Sequence, residues 1–91
     1  MSSELNYATY IPFLKANEEH IQKNLEQLEK QEWFQKLIQD KDYKNLTLHN
    51  PKVRQVIGKF NTQKLEKETY SRKCQVKLYN ILLKVSYVPV D

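Results

Sequence analysis

The sequence predicts an all-α protein, a small bundle of three or four helices preceded by a flexible N-terminal arm. Lys, Glu, Gln and Leu, which favour helices, are abundant, whereas Gly58 is the only glycine among the 91 residues. A fold rich in β-strands would need more glycines for its tight turns. Apolar residues also recur at helical spacing, which is typical of amphipathic helices that each bury one face.

The length of the chain allows one compact domain. We expect residues 1–10 to form the arm, because they lack a helical pattern and contain small polar residues. Residues 11–91 then make up a single helical domain. A domain of this size buries only about 60% of its unfolded surface, and a single cysteine allows no internal disulfide. Its stability is therefore expected to be modest.

Two apolar stripes in the first half of the chain are out of phase. The first runs from Ile21 to Leu28 and the second from Trp33 to Ile38. At about 100° per residue, they point to roughly opposite sides of one helix. Either the helix breaks near residues 30–32, or one long helix covers residues 12–40 and contacts different neighbours at its two ends. We favour the long helix, because no proline, glycine or good capping residue lies at the junction.

Residues 40–50 are predicted to be a connection, either a short extended piece or a single helical turn, since Asp and Asn, which favour turns, are frequent there. Asn50 and Pro51 then predict the start of another amphipathic helix, as its N-cap and its first residue. Gly58 lies inside this helix at a cost of about 1 kcal/mol relative to alanine, which a close approach of another helix would explain. Thr62 is predicted to cap the next helix, unless the helix runs straight through.

The last helix is predicted around residues 76–88, where apolar side chains cover nearly all sides. Such a helix is buried in its own fold or against a partner, and the chain's ten aromatic residues exceed what a small three-helix core hides. Tyr and Trp are also enriched at interfaces. We therefore expect binding to another protein or self-association. The candidate contact residues are Trp33, Phe34, Tyr79, Leu82, Leu83 and Tyr87.

No arrangement of residues predicts catalysis, a cofactor or a metal site. His20, His49 and Cys74 are the only residues of their types, and none stands at metal-ligand spacing or in a nucleophile motif. We expect both histidines to be solvated on the surface. Basic neighbours could activate the Cys74 thiol, but a half-buried structural thiol is the favoured interpretation. The chain is thus predicted not to be an enzyme.

The second half of the chain is basic. Residues 1–45 carry six lysines and eight acidic residues, a net charge of −2, whereas residues 46–91 carry nine Lys or Arg and three acidic residues, a net of +6. A basic segment attracts nucleic acid or another acidic partner. If the helices joined by the short connection at residues 40–50 formed a helix-turn-helix, the helix that Asn50 and Pro51 open would supply base and phosphate contacts. The candidate nucleic-acid contacts are Lys52, Arg54, Gln55 and Lys59.

Together these features predict a non-enzymatic helical module for protein–protein interaction, such as an accessory subunit or adaptor of a larger assembly. The alternatives are a small basic nucleic-acid-binding regulator of the helix-turn-helix type, and a helical bundle of the inhibitor or immunity type. No stretch of about 18 apolar residues predicts a membrane span, and no secretory signal opens the sequence. We expect an intracellular protein, in the cytoplasm first, with an organelle matrix or the nucleus as open alternatives.

One stretch bears a family resemblance. Residues 33–40, Trp-Phe-Gln-Lys-Leu-Ile-Gln-Asp, followed by Asn50-Pro51 and residues 52–57, resemble the short Asx-Pro-initiated helices of STI1-type domains in co-chaperones. The resemblance covers about a quarter of the chain. Lys41 stands where that pattern would have a second proline.

Overall fold

The computed structural model describes residues 17–86, and this part of the chain is entirely helical apart from short turns, which confirms the predicted all-α fold. The predicted arm at residues 1–10 lies outside the described residues. Within them the helices succeed one another with connections of a few residues. Their bounds are α1 at residues 17–28, α2 at Glu32–Leu37, α3 at Lys41–His49, α4 at Pro51–Gly58, a 3-10 helix at Thr62–Glu66 and α5 at Glu68–Ser86.

The predicted single helix over residues 12–40 is wrong, because α1 ends at residue 28 and a turn precedes α2. Gln31 is the residue that breaks the helix, with an extended backbone at φ −96° and ψ 133°. Its side-chain amide donates to the carbonyl of Leu65 at 2.7 Å and accepts from the Ser71 hydroxyl at 2.7 Å. The break therefore depends on partners more than thirty residues away, and it brings both out-of-phase stripes into the same core.

The predicted connection at residues 40–50 is in fact helix α3. Asp40, interpreted as a turn former, is its N-cap and accepts from the backbone N–H groups of Asp42 at 2.9 Å and Tyr43 at 3.1 Å. Thr47 is the only buried residue of this short helix, and it is polar. The sequence of α3 therefore shows little of the apolar periodicity that would have predicted a helix. The N-cap role predicted for Asn50 is confirmed, since its side chain accepts from the first turn of α4.

The turn after α4 is capped by Asn61, and the prediction of Thr62 as the cap is wrong. The Asn61 side chain accepts from the N–H groups of Gln63 at 3.0 Å and Lys64 at 3.2 Å. The capped segment is a 3-10 helix, and it places Leu65 in the core before α5 begins. None of the helices within residues 17–86 is both long and apolar enough to cross a membrane.

One continuous core joins these helices. α5 contributes Cys74, Leu78 and Leu82, which are four residues apart and lie along a single side of the helix. The opposite sides of α5 thus stay outside the core. The other buried apolar residues are Ile21, Leu25, Leu28, Phe34, Leu37, Val53, Ile57, Phe60 and Leu65.

A buried polar side chain ties α1 to the end of α4. Asn24 has no exposed surface, and its amide donates to the carbonyls of Ile57 at 2.7 Å and Phe60 at 3.1 Å. Its side-chain oxygen accepts from the Thr62 hydroxyl. The last carbonyls of a helix have no partner inside that helix. The Phe60 N–H also donates to the Ile57 carbonyl at 3.1 Å, and Asn24 adds a second donor there and one to the Phe60 carbonyl just beyond α4, where the chain turns inside the protein.

Gly58 lies at a close approach of α1 and α4, as the sequence predicted. A Cβ built on Gly58 would lie 2.9 Å from Cγ1 of Ile21 and 3.6 Å from its Cδ1. The shorter separation is closer than two carbon atoms tolerate. Packing between the two helices therefore outweighs the poor helix propensity of glycine.

We expect Gly58→Ala to lower the free energy of unfolding by about 1 kcal/mol, because crowding against Ile21 exceeds the gain in helix propensity. In an Ile21→Ala background both contacting atoms are gone, and the same substitution should instead stabilise the chain by about 0.5–1 kcal/mol. Urea unfolding of the four chains measures both effects. An effect of the same sign in both backgrounds would contradict this packing.

Candidate interaction surfaces on the last helix

Helix α5 presents three sides with different chemistry. One side is buried and includes Ser71, Cys74, Leu78 and Leu82. Because an α-helix turns about 100° per residue, the remaining positions fall on two exposed flanks. One flank is apolar and faces the side of α3, while the other is basic and faces α4. These flanks are the candidate functional surfaces of the described chain.

The apolar flank consists of Val76, Tyr79 and Leu83, which we call the α5 stripe. Their exposed fractions are 59%, 43% and 37%, high values for large apolar side chains. Their spacing of three and four residues places them in one line along the helix. Uncharged polar residues border the line at Gln75 and Asn80. Arg72, four residues before Val76 and paired with Glu68 at 3.1 Å, continues the line toward the start of α5, so the stripe is apolar with charged residues at its N-terminal end.

Aromatic rings extend this surface onto the neighbouring helices. The ring of Tyr43 in α3 meets that of Tyr79 edge-on, with centroids 6.0 Å apart and an angle of 72°. Trp33 and Tyr79 line one shallow depression, bordered by Glu32 and Lys36, which form an exposed ion pair at 3.5 Å. The Trp33 ring is half-buried, so only part of it is offered to a partner.

A hydrogen bond holds Trp33 in place at the edge of this surface. Its indole N–H donates to the Ser71 hydroxyl at 2.9 Å, and Ser71 in turn donates to Gln31 at 2.7 Å. The polar end of the indole is thus satisfied inside the protein, and the exposed part is apolar. A rigid aromatic edge of this kind loses little entropy when a partner covers it.

The structure divides the predicted partner-binding residues. Tyr79 and Leu83 lie on the stripe and Trp33 at its edge. Phe34 and Leu82 are core residues, only 2% and 0% exposed, so neither is available to a partner and these two assignments are corrected. Tyr87 lies outside the described residues.

Sequence reasoning missed two exposed apolar residues, Val76 in α5 and Leu48 in α3. A signal for Val76 was present, because it stands three residues before Tyr79 and seven before Leu83. That spacing marks a second line along α5, distinct from the line of buried residues. Leu48, by contrast, carries no sequence signal that separates it from a core residue.

The basic flank of α5 and the end of α4 enclose a groove of about 380 Å³, which we call the α4–α5 groove. Lys59, Lys77 and Lys84 line its rim and are exposed. Its floor and walls are apolar or aromatic, and no acidic side chain is among the lining residues. The apolar and aromatic lining residues are Val56, Phe60, Tyr70 and Ile81, and Asn80 is the one uncharged polar residue among the lining.

The predicted nucleic-acid contacts do not share one face of α4. Lys52, Gln55 and Lys59 are exposed, but Arg54 is turned about 160° from Lys52 around the helix axis. Arg54 donates to the carbonyl of Leu48 at 2.9 Å and pairs with Glu18 at 2.6 Å. The most specific of the predicted base-reading side chains is therefore engaged within the protein.

His20 and Cys74 make contacts within the protein, whereas His49 is exposed. Nε2 of the exposed His20 lies 3.2 Å from the carbonyl oxygen of Phe60 and 3.4 Å from the Thr62 hydroxyl, beside the Asn24 hydrogen bonds. His49 is exposed at the end of α3. Within residues 17–86 no three His, Cys, Asp or Glu side chains converge as metal ligands would.

Cys74 is more deeply buried than the half-buried position predicted for it. Burial raises the pKa of its thiol, and a hydrogen bond with Tyr70 and the charge of Lys77 oppose this effect without overcoming it. A raised pKa leaves little of the reactive thiolate at neutral pH. The geometry thus supports the structural interpretation of Cys74 over the reactive one.

Comparison of the chain with protein-family models, with curated proteins and with solved structures found no match. The resemblance of part of the chain to STI1-type domains consequently has no support from a family match. Functional inference therefore rests on the surfaces of α5 and their neighbours.

We expect Cys74 of the native chain to react with Ellman's reagent at pH 8 at least about 100-fold more slowly than in urea, because the thiol is exposed only when the chain opens. A Thr69→Cys substitution in a Cys74→Ala background supplies the rate of an exposed thiol on the same helix. If native Cys74 reacted as fast as that control, its burial in the core would be wrong.

Proposed function

We propose that this chain is a non-enzymatic helical interaction module, an accessory subunit or adaptor, that binds a helix of another protein through the α5 stripe. The observation that carries the proposal is the exposure of Val76, Tyr79 and Leu83 in one line. Covering each of these partly exposed side chains would contribute about 1 kcal/mol to binding. Trp33 and Tyr43 enlarge the surface with aromatic rings, the residue class that supplies much of the energy of protein interfaces.

The charge pattern favours a protein over nucleic acid as the occupant of the stripe. Nucleic-acid binding depends on several basic groups that neutralise phosphates. Gln75 and Asn80 beside the stripe carry no charge, Arg72 at its N-terminal end is paired with Glu68 at 3.1 Å, and Lys77 and Lys84 lie on the other flank. With Arg54 paired to Glu18, no single face of α4 carries all the predicted base contacts either. An inhibitor- or immunity-type protein would use the same kind of apolar surface and falls within this proposal.

The spacing of the stripe favours a helical partner. Residues at i, i+3 and i+7 form the seam along which two helices pack side by side. α5 has 19 residues, and a helix of that length extends about 28 Å. Its opposite side is anchored in the core by Leu78 and Leu82, so the stripe is presented in a fixed conformation. A preformed surface avoids much of the entropy cost of binding.

To test the proposal, we would place a benzophenone photo-crosslinking side chain at Tyr79 and irradiate the chain in extracts of its source cells. We expect one product of discrete mass, and none when the same group replaces the exposed Gln63 of the 3-10 helix. Unlabelled wild-type chain should compete for this product. A Val76→Ser/Leu83→Ser variant should compete at least about tenfold less well, because about 1.4 kcal/mol corresponds to a factor of ten.

Circular dichroism provides the control that this variant keeps its helices, since it changes only exposed side chains. Equal amounts of cross-linked product from the Tyr79 and Gln63 positions would contradict the proposal. So would competition by the variant as strong as that by the wild-type chain. The absence of any discrete product from the Tyr79 position would contradict it as well.

A further inference from the structure

We infer that the α4–α5 groove is a second docking site, which takes an acidic segment of a partner protein and receives one of its large apolar side chains. The groove lies on the opposite flank of α5 from the stripe, and a different set of residues forms it. The inference therefore goes beyond the proposed function and can fail or succeed independently of it.

The lining of the groove fits an apolar anchor. Phe60 is almost completely buried and closes the floor, while Val56 and Ile81 are half-buried and leave part of their surface free. The Tyr70 hydroxyl accepts from the backbone N–H of Asn61 at 2.7 Å, which fixes the ring that forms one wall. The volume of about 380 Å³ is within the range of ligand pockets.

The rim of the groove determines the charge of the occupant. Three lysines surround it, at Lys59, Lys77 and Lys84, and none of them takes part in an ion pair with another described residue. Like charges around one opening repel each other, and carboxylates placed between them would relieve that repulsion. Exposed ion pairs contribute little to affinity. The lysines would thus select an acidic partner, and the apolar anchor would supply most of the binding.

The positions of the lysines also set the spacing of the acidic groups. Lys77 and Lys84 are seven residues apart on one side of α5, about 10 Å along the helix axis. Lys59 stands on the other wall, at the end of α4. A helical segment with two carboxylates seven residues apart, and an apolar side chain midway between them, matches this arrangement. The midway side chain would then point at Phe60 and Ile81.

The experiment uses the full ¹⁵N-labelled chain and a 14-residue helical peptide of Ala and Gln, with a central phenylalanine between two glutamates seven positions apart. We expect the amide signals of Lys59, Lys77 and Ile81 to shift on titration, and those of Val76 and Leu83 to stay unchanged. Calorimetry should show at least about tenfold weaker binding to a Lys77→Glu/Lys84→Glu variant. The matched control, Lys41→Glu/Lys44→Glu on α3, makes the same change in net charge and should bind as the wild type does.

A second peptide, the stripe variant and a single-stranded DNA distinguish the proposed occupant of the groove from the alternatives. A peptide with lysines in place of its glutamates should bind at least about tenfold more weakly, and the Val76→Ser/Leu83→Ser variant should bind the acidic peptide normally. Loss of binding in that stripe variant would place the peptide on the stripe and overturn the inference. Equal binding of the basic peptide, absence of binding at millimolar concentration, or tighter groove binding by a 14-nucleotide single-stranded DNA would also overturn it.

Discussion

The buried amide of Asn24 is the interaction on which the rest of this structure depends. Burying an amide without partners is costly, so a fully buried Asn requires hydrogen bonds for both of its ends. It obtains them from the carbonyls of Ile57 and Phe60 and from the Thr62 hydroxyl. These three residues are the end of α4 and the start of the 3-10 helix. A single side chain of α1 therefore determines where α4 stops and how the chain enters α5.

A second buried polar cluster completes this arrangement on the other side of α5. Gln31 hydrogen-bonds to Leu65 and Ser71, and Ser71 accepts from Trp33, so the turn between α1 and α2 is held against the start of α5. Both clusters lie at the entry to α5, and beyond them Cys74, Leu78 and Leu82 hold the rest of the helix in the core along one side. The two flanks that remain differ in chemistry, one apolar and one basic. This division leaves one short chain with two exposed surfaces of different chemistry.

Some local features could be predicted from the sequence, whereas the local caps at Asp40 and Asn61 were missed and the features that need a particular distant hydrogen-bond partner could not be predicted. The Asn50 cap is local, since its acceptor and donors lie within three residues of one another. The break at Gln31 needs Leu65 and Ser71, which no local pattern reveals. Packing against the other helices also determines which side of α5 faces the core. Leu82 and Leu83 are equally apolar neighbours, and only the assembled core decides that the first is buried and the second exposed.

The most direct test of this arrangement is the free energy of unfolding of an Asn24→Ala variant in urea, compared with Asn45→Ala at an exposed position of α3. Because the first variant leaves buried carbonyls and a hydroxyl with fewer partners, we expect it to be less stable by about 2–3 kcal/mol. The second should differ from the wild type by less than about 0.5 kcal/mol. Equal stability of the two variants would contradict the central role of the buried amide.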